Sequence, residues 1–422
     1  MPKLNSFRIR EELIPDRGPQ RIFGLATLIN TFGNGLVVTA MTIYFTRVVH
    51  LSTEQVGVGL TVAGLVGLLA GVPMGHLADR RGPREVAQAA LLVEAAVTIC
   101  YVFIHGFAVF LIVASLEMLT ISAVMAADGV LMRRVGGNEN AAVPNVMRAI
   151  GNLGISVGAL GCGVAVAIGT SEAYRSLIIV NTLTFLGAWA VLGRLPHYDP
   201  LPTPEGQDKP WIALADKPFV AYTVVNGVIS MQFWVIMQPL PLWVILHTHA
   251  PRWIVPAFLI MNTVLAVLFQ VRVGRNVDTV RRGGAALRRA GLIFLVSCSL
   301  IGLAAGIPGW IALLILIGAV VIHTVGELYY TAGSFALGFG LAPEHAQGQY
   351  QGLAGIGFGA GMAAAPVLMI GLVLSLGLAG WIGLGALFAL CGLAAPAVAR
   401  WGERTRPATA EPKTLETAAA AN

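Results

Sequence analysis

The sequence predicts an all-α membrane protein with twelve transmembrane helices in two pseudo-symmetric six-helix bundles. Three observations carry this prediction: a low charge content, a series of long apolar runs, and an internal repeat. Charged residues make up 11% of the 422-residue chain and hydrophobic residues 56%, whereas a soluble domain has about 25% charged residues. The mean hydropathy of +0.76 points the same way. Together these values exclude a large soluble catalytic domain.

The apolar runs are each long enough to cross a bilayer, which takes about 20 residues in a helix. The first six predicted spans are 21–46, 55–76, 86–104, 107–131, 146–169 and 174–194. The second six are 217–246, 252–274, 286–305, 308–331, 347–376 and 379–400. The predicted organisation is an N-terminal segment (1–20), an N-terminal bundle (21–194), a proline-rich polar linker (195–216), a C-terminal bundle (217–400) and a tail (401–422) whose composition predicts disorder.

Basic residues distinguish the two faces of this layout. With the N-terminus inside, 24 of the 27 lysines and arginines fall on the cytoplasmic side, and only Arg47, Arg175 and Arg252 fall outside. Cytoplasmic loops of membrane proteins carry an excess of Lys and Arg, so we expect both termini and the linker to be cytoplasmic. Because arginine greatly outnumbers lysine and alanine and glycine abound, we expect a bacterial cell-membrane protein.

A run of charges and glycines follows the second predicted span. It fits the pattern Gly-x-x-x-Asp-Arg-x-Gly-x-Arg, and the matching residues are Gly75, Asp79, Arg80, Gly82 and Arg84. So many charges cannot lie in hydrocarbon, which predicts a short structured loop at the membrane surface. The pattern resembles the loop between helices 2 and 3 of the major facilitator superfamily of transporters. A degenerate copy at 274–283 follows the eighth span, as expected for the parallel repeat of that superfamily.

The resemblance implies that the loop forms a gate on the cytoplasmic side. Asp79 would face the positive N-terminus of the eleventh span, and the loop arginines Arg80 or Arg84 would pair with Asp128 in the fourth. Glu327 in the tenth span would repeat the role of Asp128, and the partners considered for it are Arg275, Arg281 and Arg282. Direct proton or substrate binding by the two acids is the alternative. The predicted gating residues are Gly75, Asp79, Arg80, Gly82, Arg84, Asp128, Arg275 and Glu327.

Two further acids lie in mid-membrane with no arginine at their depth. Glu94 is midway along the third span and Glu117 midway along the fourth. Counted from His105 in the turn between these antiparallel helices, the two are at nearly equal depth, so they would share a proton if their faces coincide. Both are predicted proton-coupling residues, and Glu117 is the stronger candidate because the fourth helix lines the cavity in the family it resembles. The alternative is a neutral acid bonded to a neighbouring carbonyl.

The resemblance also implies that helices 1, 4, 7 and 10 line a central cavity. Polar and aromatic residues near mid-depth are the predicted substrate-binding residues, namely Asn30, Asn34, Glu117, Trp234, Gln238 and His323. Asn30 and Asn34 are four residues apart and share a helix face. For the amides the alternative is hydrogen bonding between helices, and for Trp234 it is core packing. Pro239 and Pro241 are expected to bend the seventh span.

The sequence predicts neither an enzyme nor a cofactor. The four cysteines lie in apolar stretches without CxxC spacing, which argues against disulfides and a zinc site. No phosphate-binding loop or hydrolase motif occurs, and no polar segment is long enough to form a surface for nucleic acid.

The predicted function is secondary active transport by alternating access. Few fixed charges on the cavity helices, together with Met, Trp, Phe and amide side chains, favour proton-coupled efflux of a small hydrophobic compound or drug, similar to the drug:proton antiporters. The proline of the exporters' signature on helix 5 is missing here. The predicted partners are a small-molecule substrate, protons and the lipid bilayer, and we expect a monomer. The alternatives are proton-coupled uptake of a metabolite and a transport-inactive receptor or assembly factor, against which the intact loop counts.

Overall fold

The computed structural model describes residues 18–38, 40–136, 143–203 and 211–406. Within these ranges the chain is helical and contains no strand. Eleven helices are long and apolar enough to cross a membrane, and a twelfth span results if the bent pair Pro19–Val37 and Ala40–Arg47 counts as one. The predicted all-α fold with twelve spans is confirmed.

We number the spans α1 to α12 in chain order, matching the twelve predicted spans. The N-terminal bundle contains α1a (Pro19–Val37), α1b (Ala40–Arg47), α2 (Thr53–Arg81), α3 (Pro83–Cys100), α4 (Phe107–Gly136), α5 (Val143–Ile168) and α6 (Ser171–Leu192). The C-terminal bundle contains α7a (Lys217–Ser230), α7b (Phe233–Met237), α7c (Pro239–His247), α8 (Ile254–Gly274), α9 (Val280–Leu303), α10 (Gly309–Gly340), α11 (Gln347–Leu376) and α12 (Leu378–Arg404). We call the side on which α1a begins and α12 ends the terminal face.

One residue, rather than a loop, separates α2 from α3. α2 continues to Arg81 and α3 begins at Pro83, so Asp79 and Arg80 are helical and the predicted loop over 75–84 is wrong. Gly82 has a φ of 92°, a conformation that favours glycine. Pro83, at the first helical position, has its φ already set for a helix, so the next helix begins at once.

The last helix ends later than predicted. α12 continues to Arg404, so the first part of the predicted tail is helical. Arg406 then donates to Asp216 Oδ2 at 2.8 Å, and Asp216 Oδ1 accepts the Phe219 amide at the start of α7a at 3.1 Å. The chain after α12 is thereby tied to the beginning of the C-terminal bundle. The predicted features outside the described residues are the N-terminal segment to residue 17, linker residues 204–210 and the tail from 407.

α7 is broken twice along its length. Pro239 begins α7c and interrupts the helix at Gln238, in agreement with the predicted bend, because proline has no amide hydrogen to donate. The other break, at Met231 and Gln232, lies eight residues before that proline and has no sequence signal. At this break the Gln232 carbonyl accepts both the Val235 amide at 3.1 Å and Nε2 of His323 at 3.2 Å.

Each bundle has its own apolar core. The C-terminal bundle packs around Trp243, Phe294 and Trp381, all buried. The N-terminal bundle packs around one cluster that includes Phe23 and another that includes Phe110. Because each bundle buries its apolar side chains internally, polar side chains can line the space between the two bundles.

Candidate substrate cavity

A cavity of about 380 Å³ lies between the two bundles. Residues of α1, α3, α4 and α5 line it on one side, and residues of α7, α10 and α11 on the other. Much of its wall is apolar and polarisable, from Met125, Met132, Met147, Phe233, Phe335, Phe339 and Phe358. A small-molecule site usually combines such a wall with a few placed polar groups. The volume and the lining therefore suit a small organic ligand.

A close contact between α2 and α11 joins the two bundles near the terminal face. A Cβ atom added at Gly75 would lie 2.0 Å from the carbonyl oxygen of Gly348, so only glycine permits this approach. Asp79 lies one turn further on and accepts the amides of Gly348 and Gln349 at 2.7 and 3.0 Å. These amides are at the N-terminus of α11, where the helix dipole favours a carboxylate. Asp79 therefore lies at the N-terminus of the eleventh span, the helix terminus that the sequence analysis named for it.

A second contact between the bundles joins α5 and α8 at the same face. Gln270 donates to Asn145 Oδ1 at 2.9 Å, and Gly274 packs against the Asn145 side chain. Gly274 corresponds to Gly75 in the internal repeat, so both glycines permit a close helix contact. Asp278, which corresponds to Asp79, instead pairs with Arg282 at 2.7 Å. The second copy of the repeat thus keeps the glycine at the helix contact. Its acid does not dock on the other bundle, and the amide pair of Asn145 and Gln270 joins the bundles there instead.

Two acids of the N-terminal bundle line the cavity, Glu94 on α3 and Asp128 on α4. The Glu94 side chain is buried, at 3% exposure, and its Oε2 has no hydrogen-bond partner among the described residues. The negative charge of Asp128 acts on Glu94, so the two are electrostatic neighbours. The sequence analysis did not include α3 among the helices that line the cavity, and the position of Glu94 adds it to them.

The predicted pairing of Asp128 with the arginines after α2 does not occur in this conformation. No ion pair joins Asp128 to Arg80 or Arg84 within the described ranges. Arg84 instead donates to the carbonyl oxygen of Gly193 at 2.8 Å, at the end of α6. Because that carbonyl belongs to a helix C-terminus, which attracts cations, Arg84 secures α3 to α6 and leaves Asp128 to the cavity.

Glu117 lies beside the cavity acids but does not line the cavity. Its Oε2 accepts the hydroxyl of Tyr101, which is itself buried in the turn after α3. Its charge acts on Glu94, so the two acids are neighbours, as equal depth in the sequence suggested. Direct substrate contact by Glu117 is not supported by this position, because its helix turns the side chain toward α3.

Arg148 on α5 lines the cavity and faces the C-terminal bundle. Its guanidinium lies 5.0 Å from the centroid of the Phe233 ring, a cation–π contact between the two bundles. Its charge also acts on Glu327 of α10. Glu327 is bonded through Oε2 to Asn262 of α8 at 2.8 Å, and the predicted pairing with an arginine after α8 is wrong among the described contacts. Of those arginines, Arg281 pairs with Glu403 and Arg282 with Asp278.

The C-terminal wall of the cavity carries a hydrogen-bonded polar group that the sequence analysis did not identify. Ser334 donates to Asn226 Oδ1 at 2.7 Å, and Tyr222 donates to the Ser334 carbonyl at 2.8 Å. Tyr330 lies close by and also lines the cavity. The sequence does contain a signal for this polar group. Tyr222 and Asn226 are four residues apart on one cavity helix, and Tyr330 and Ser334 are four residues apart on another, so each pair shares a helix face.

The remaining predicted substrate residues divide into two groups. Asn30 and Asn34 line the cavity, and Asn30 Oδ1 is buried without a hydrogen-bond partner in the described chain. Trp234, Gln238 and His323 do not line it. The break at the end of α7a turns Trp234 and Gln238 away, and His323 has both ring nitrogens engaged, by Ser297 Oγ at 3.1 Å and the Gln232 carbonyl.

No site for a resident metal is formed by the described residues. They contain no group of three or more His, Cys, Asp or Glu side chains that could hold an ion, and no disulfide joins any two of the four cysteines.

Comparisons with known proteins agree with this architecture. The family model described as Major Facilitator Superfamily matches residues 23–366. No curated protein matches the chain. Among solved structures, the chain is similar to a bacterial homologue of the iron transporter ferroportin in an outward-facing state, with a TM-score of 0.70 and 11% identity over 92% of this chain and 99% of the other. It is also similar to the human organic anion transporter MFSD10 (TETRAN), with a TM-score of 0.65 and 14% identity over 90% and 99%. At these identities the likeness concerns the fold.

Proposed function

The chain belongs to the major facilitator superfamily, a family of secondary transporters, and from that premise we propose that it exports a small hydrophobic compound in exchange for protons. The two bundles would rock about the cavity, so that it opens to each side of the membrane in turn. The observation that carries the proposal is the presence of two acids, Glu94 and Asp128, in the wall of an otherwise largely apolar cavity.

The orientation rests on the distribution of charge. Among the described residues, nearly all lysines and arginines lie toward the terminal face, which by the positive-inside rule supports a cytoplasmic position for this face in a cell membrane. The contacts of Asp79 with α11 and of Asn145 with Gln270 join the two bundles at that face. We therefore interpret the conformation as open to the outside, with Asp79 as a gating residue that holds the cytoplasmic side shut.

The proton sites follow from burial. A carboxylate in low dielectric is costly unless it is paired or takes up a proton, and among the described residues neither Glu94 nor Asp128 has a cation within ion-pair distance. An acid that releases its proton when substrate binds, and regains it from the other side, couples the two fluxes. Glu117 would influence this exchange from beside the cavity, through its charge on Glu94.

Proton-coupled uptake of a metabolite is the second candidate, and Arg148 is the observation that favours it. A guanidinium in the cavity binds anions, and an anion would bind best when Glu94 and Asp128 are protonated. Such cooperative binding moves proton and substrate in the same direction. Export by exchange requires the opposite, that substrate and protons compete.

The test uses purified full-length protein in liposomes with a trapped pH-sensitive dye. Compounds from a panel of small hydrophobic molecules are added outside vesicles that have an acidic lumen. Exchange predicts that an active compound accumulates while the lumen becomes more alkaline. Symport predicts accumulation with an acidic exterior and an acidified lumen, and a receptor or assembly factor predicts no flux with any compound.

Two cavity variants and one control variant test the assignment of the proton sites in this assay. Glu94→Gln and Asp128→Asn should lose compound-dependent proton movement. Glu172→Gln changes an exposed acid in the first turn of α6, far from the cavity, and should behave as wild type. Proton movement that persists in both cavity variants would reject this assignment of the proton sites.

A further inference from the structure

The charges that line the cavity are divided between two walls. Glu94 and Asp128 lie on α3 and α4, and among the described residues neither acid forms an ion pair with the cavity arginine, Arg148. Arg148 lies on α5 and acts on Glu327 and Tyr330 of the C-terminal bundle. The cavity thus has an acidic wall and a basic corner that do not neutralise each other by direct contact.

We propose that the cavity selects zwitterionic amphiphiles, small molecules with an aromatic or apolar body that carry both an ammonium and a carboxylate group. The proposal rests on the proposed export function and narrows its substrate class. The ammonium group binds at Glu94 and Asp128, and the carboxylate binds at Arg148.

The carboxylate position is built from donors that have no other described partner. Arg148 makes no hydrogen bond or ion pair with any described residue, and its guanidinium lies over the face of the Phe233 ring. Glu327 of the C-terminal bundle, on which the Arg148 charge acts, is bonded to Asn262 instead. A guanidinium presents its donors in a planar fork that matches a carboxylate.

Asn226 supplies a second donor on the C-terminal wall. The side chain is 3% exposed, and its Oδ1 accepts the Ser334 hydroxyl at 2.7 Å. The oxygen is therefore engaged, whereas the amide NH₂ of Asn226 donates to no described acceptor. Tyr330, on which the Arg148 charge acts, lies beside the Asn226 carbonyl. An oxyanion placed here would contact both bundles, which is where a substrate must bind to be passed between open states.

The ammonium position is the acidic wall. Glu94 is more than nine-tenths buried and has an oxygen with no described partner, and Asp128 lies beside it. A cation entering there competes with protons for the same oxygens, as exchange requires. The carboxylate does not take part in that competition, so Arg148 orients the substrate without opposing proton release.

The body of the substrate faces the methionine and phenylalanine side chains. A cavity of about 380 Å³ falls in the size range of small-molecule sites, about 300–1,000 Å³. It accommodates a two-ring aromatic group with a short polar head, which fixes the size of the probes below.

Four probes with one naphthyl body separate the two charges. Naphthylalanine is the zwitterion, naphthylethylamine the cation, naphthylpropionate the anion and naphthylpropanamide the neutral compound. Binding is measured by calorimetry on the purified full-length protein in lipid nanodiscs. We expect naphthylalanine to bind most tightly, and the loss of either charge to weaken binding about tenfold, which corresponds to about 1.4 kcal/mol.

The variants assign each charge to its wall. Arg148→Gln should remove the difference between naphthylalanine and naphthylethylamine, and Asp128→Asn should reduce the difference between naphthylalanine and naphthylpropionate. Arg289→Gln is the matched control, because Arg289 lies over the Tyr329 ring at 5.8 Å outside the cavity, and it should keep the wild-type order.

Several results would overturn the inference: equal binding of the neutral probe, no binding of any probe, or an unchanged carboxylate preference in Arg148→Gln. The proposed function is judged separately by the dye assay. A panel compound that drives proton exchange while the four probes show no charge preference rejects the zwitterion alone. Charge-selective binding without any proton exchange rejects proton-coupled export alone.

Discussion

At the scale of single residues, the two neighbouring acids Glu94 and Glu117 differ in their surroundings. Glu94 lines the cavity with an unpartnered oxygen, whereas Glu117 accepts the Tyr101 hydroxyl outside it. Glutamine mimics the protonated acid, with which substrate competes, so Glu94→Gln should bind substrate more weakly and lose accumulation driven by a pH gradient. Glu117→Gln should reduce accumulation less. The measurement is gradient-driven accumulation beside counterflow in liposomes, and the reverse ranking would move the coupling site to Glu117, the stronger candidate from sequence.

His197 provides a pH-dependent contact outside the membrane. Its Nδ1 lies 2.7 Å from Glu85 Oε1 and its Nε2 lies 3.1 Å from Asp199 Oδ1, so it fastens the start of the linker to α3. The hydrogen bond with Glu85, and then its charge, raise the pKa of His197 above the ordinary value. A raised pKa in the folded state means that the stabilisation is complete below the ordinary value and is lost as pH rises through the raised one.

We therefore expect the linker start to be more protected at about pH 6 than at about pH 9, on either side of the ordinary His pKa. Hydrogen exchange of residues 195–203 measures this protection. His197→Gln should make the protection insensitive to pH over that range. A pH dependence that survives the substitution would show that another group controls the linker.

The sequence predicted some site residues and missed others for physical reasons. Asn30 and Asn34 both lie within α1a, which is continuous, so their spacing placed them correctly on the cavity side. Trp234 and Gln238 follow the break at Met231 and Gln232, where the helical phase is lost, so counting along the helix failed. The sequence analysis counted Arg148 only among the cytoplasmic basic residues, because it lies close to the start of its span, and which residues of α5 face the C-terminal bundle cannot be inferred from one sequence.

At the scale of helices, the contact of α2 with α11 depends on the absence of side chains. Gly75→Ala would place a methyl group 2.0 Å from the Gly348 carbonyl oxygen, so the helices must separate. We expect greater labelling of a cysteine in the cavity by a reagent added from the cytoplasmic side. Gly64→Ala is the matched control, since nothing lies within 4 Å of a Cβ at that position of the same helix. Equal labelling in the two variants would contradict the gate.

The charge of Asp79 should contribute to the same contact. Asp79→Asn removes a carboxylate from a helix N-terminus, an interaction of up to about 2 kcal/mol in a partly buried setting. A loss of about 1–2 kcal/mol changes the ratio of two states by about 5- to 30-fold, in favour of the conformation open to the cytoplasm. The same labelling assay measures this shift, with membrane insertion of the variant as its control. Unchanged labelling would show that Asp79 docks without holding the gate.

Helix boundaries could be predicted where composition changes abruptly. α11 has the predicted limits 347–376, because polar residues precede it and Gly377 follows it. α2 ended later and α3 began earlier than predicted, because charged residues at a helix end remain helical when the end reaches the membrane surface. A run of charge therefore locates the surface and does not by itself end a helix.

At the scale of the whole molecule, twelve spans and two bundles followed from hydropathy and the repeat. The asymmetry between the bundles did not. The repeat residue Asp278 pairs locally, and an amide pair joins α5 to α8, so the two halves of the gate differ in chemistry. Which bundle carries the cavity acids and which the hydroxyl and amide groups depends on how the bundles face each other, which a single sequence does not contain.

The central claim is that protons and a hydrophobic compound exchange through one cavity. In the most direct measurement, full-length protein is reconstituted into liposome membranes, the uptake of a radiolabelled active compound is followed, and the imposed pH gradient is then inverted. The account predicts accumulation with an acidic lumen, release when the gradient is inverted, abolition by an uncoupler, and no dependence on ATP. Accumulation that ignores the inversion, or that follows a sodium gradient instead, would contradict it.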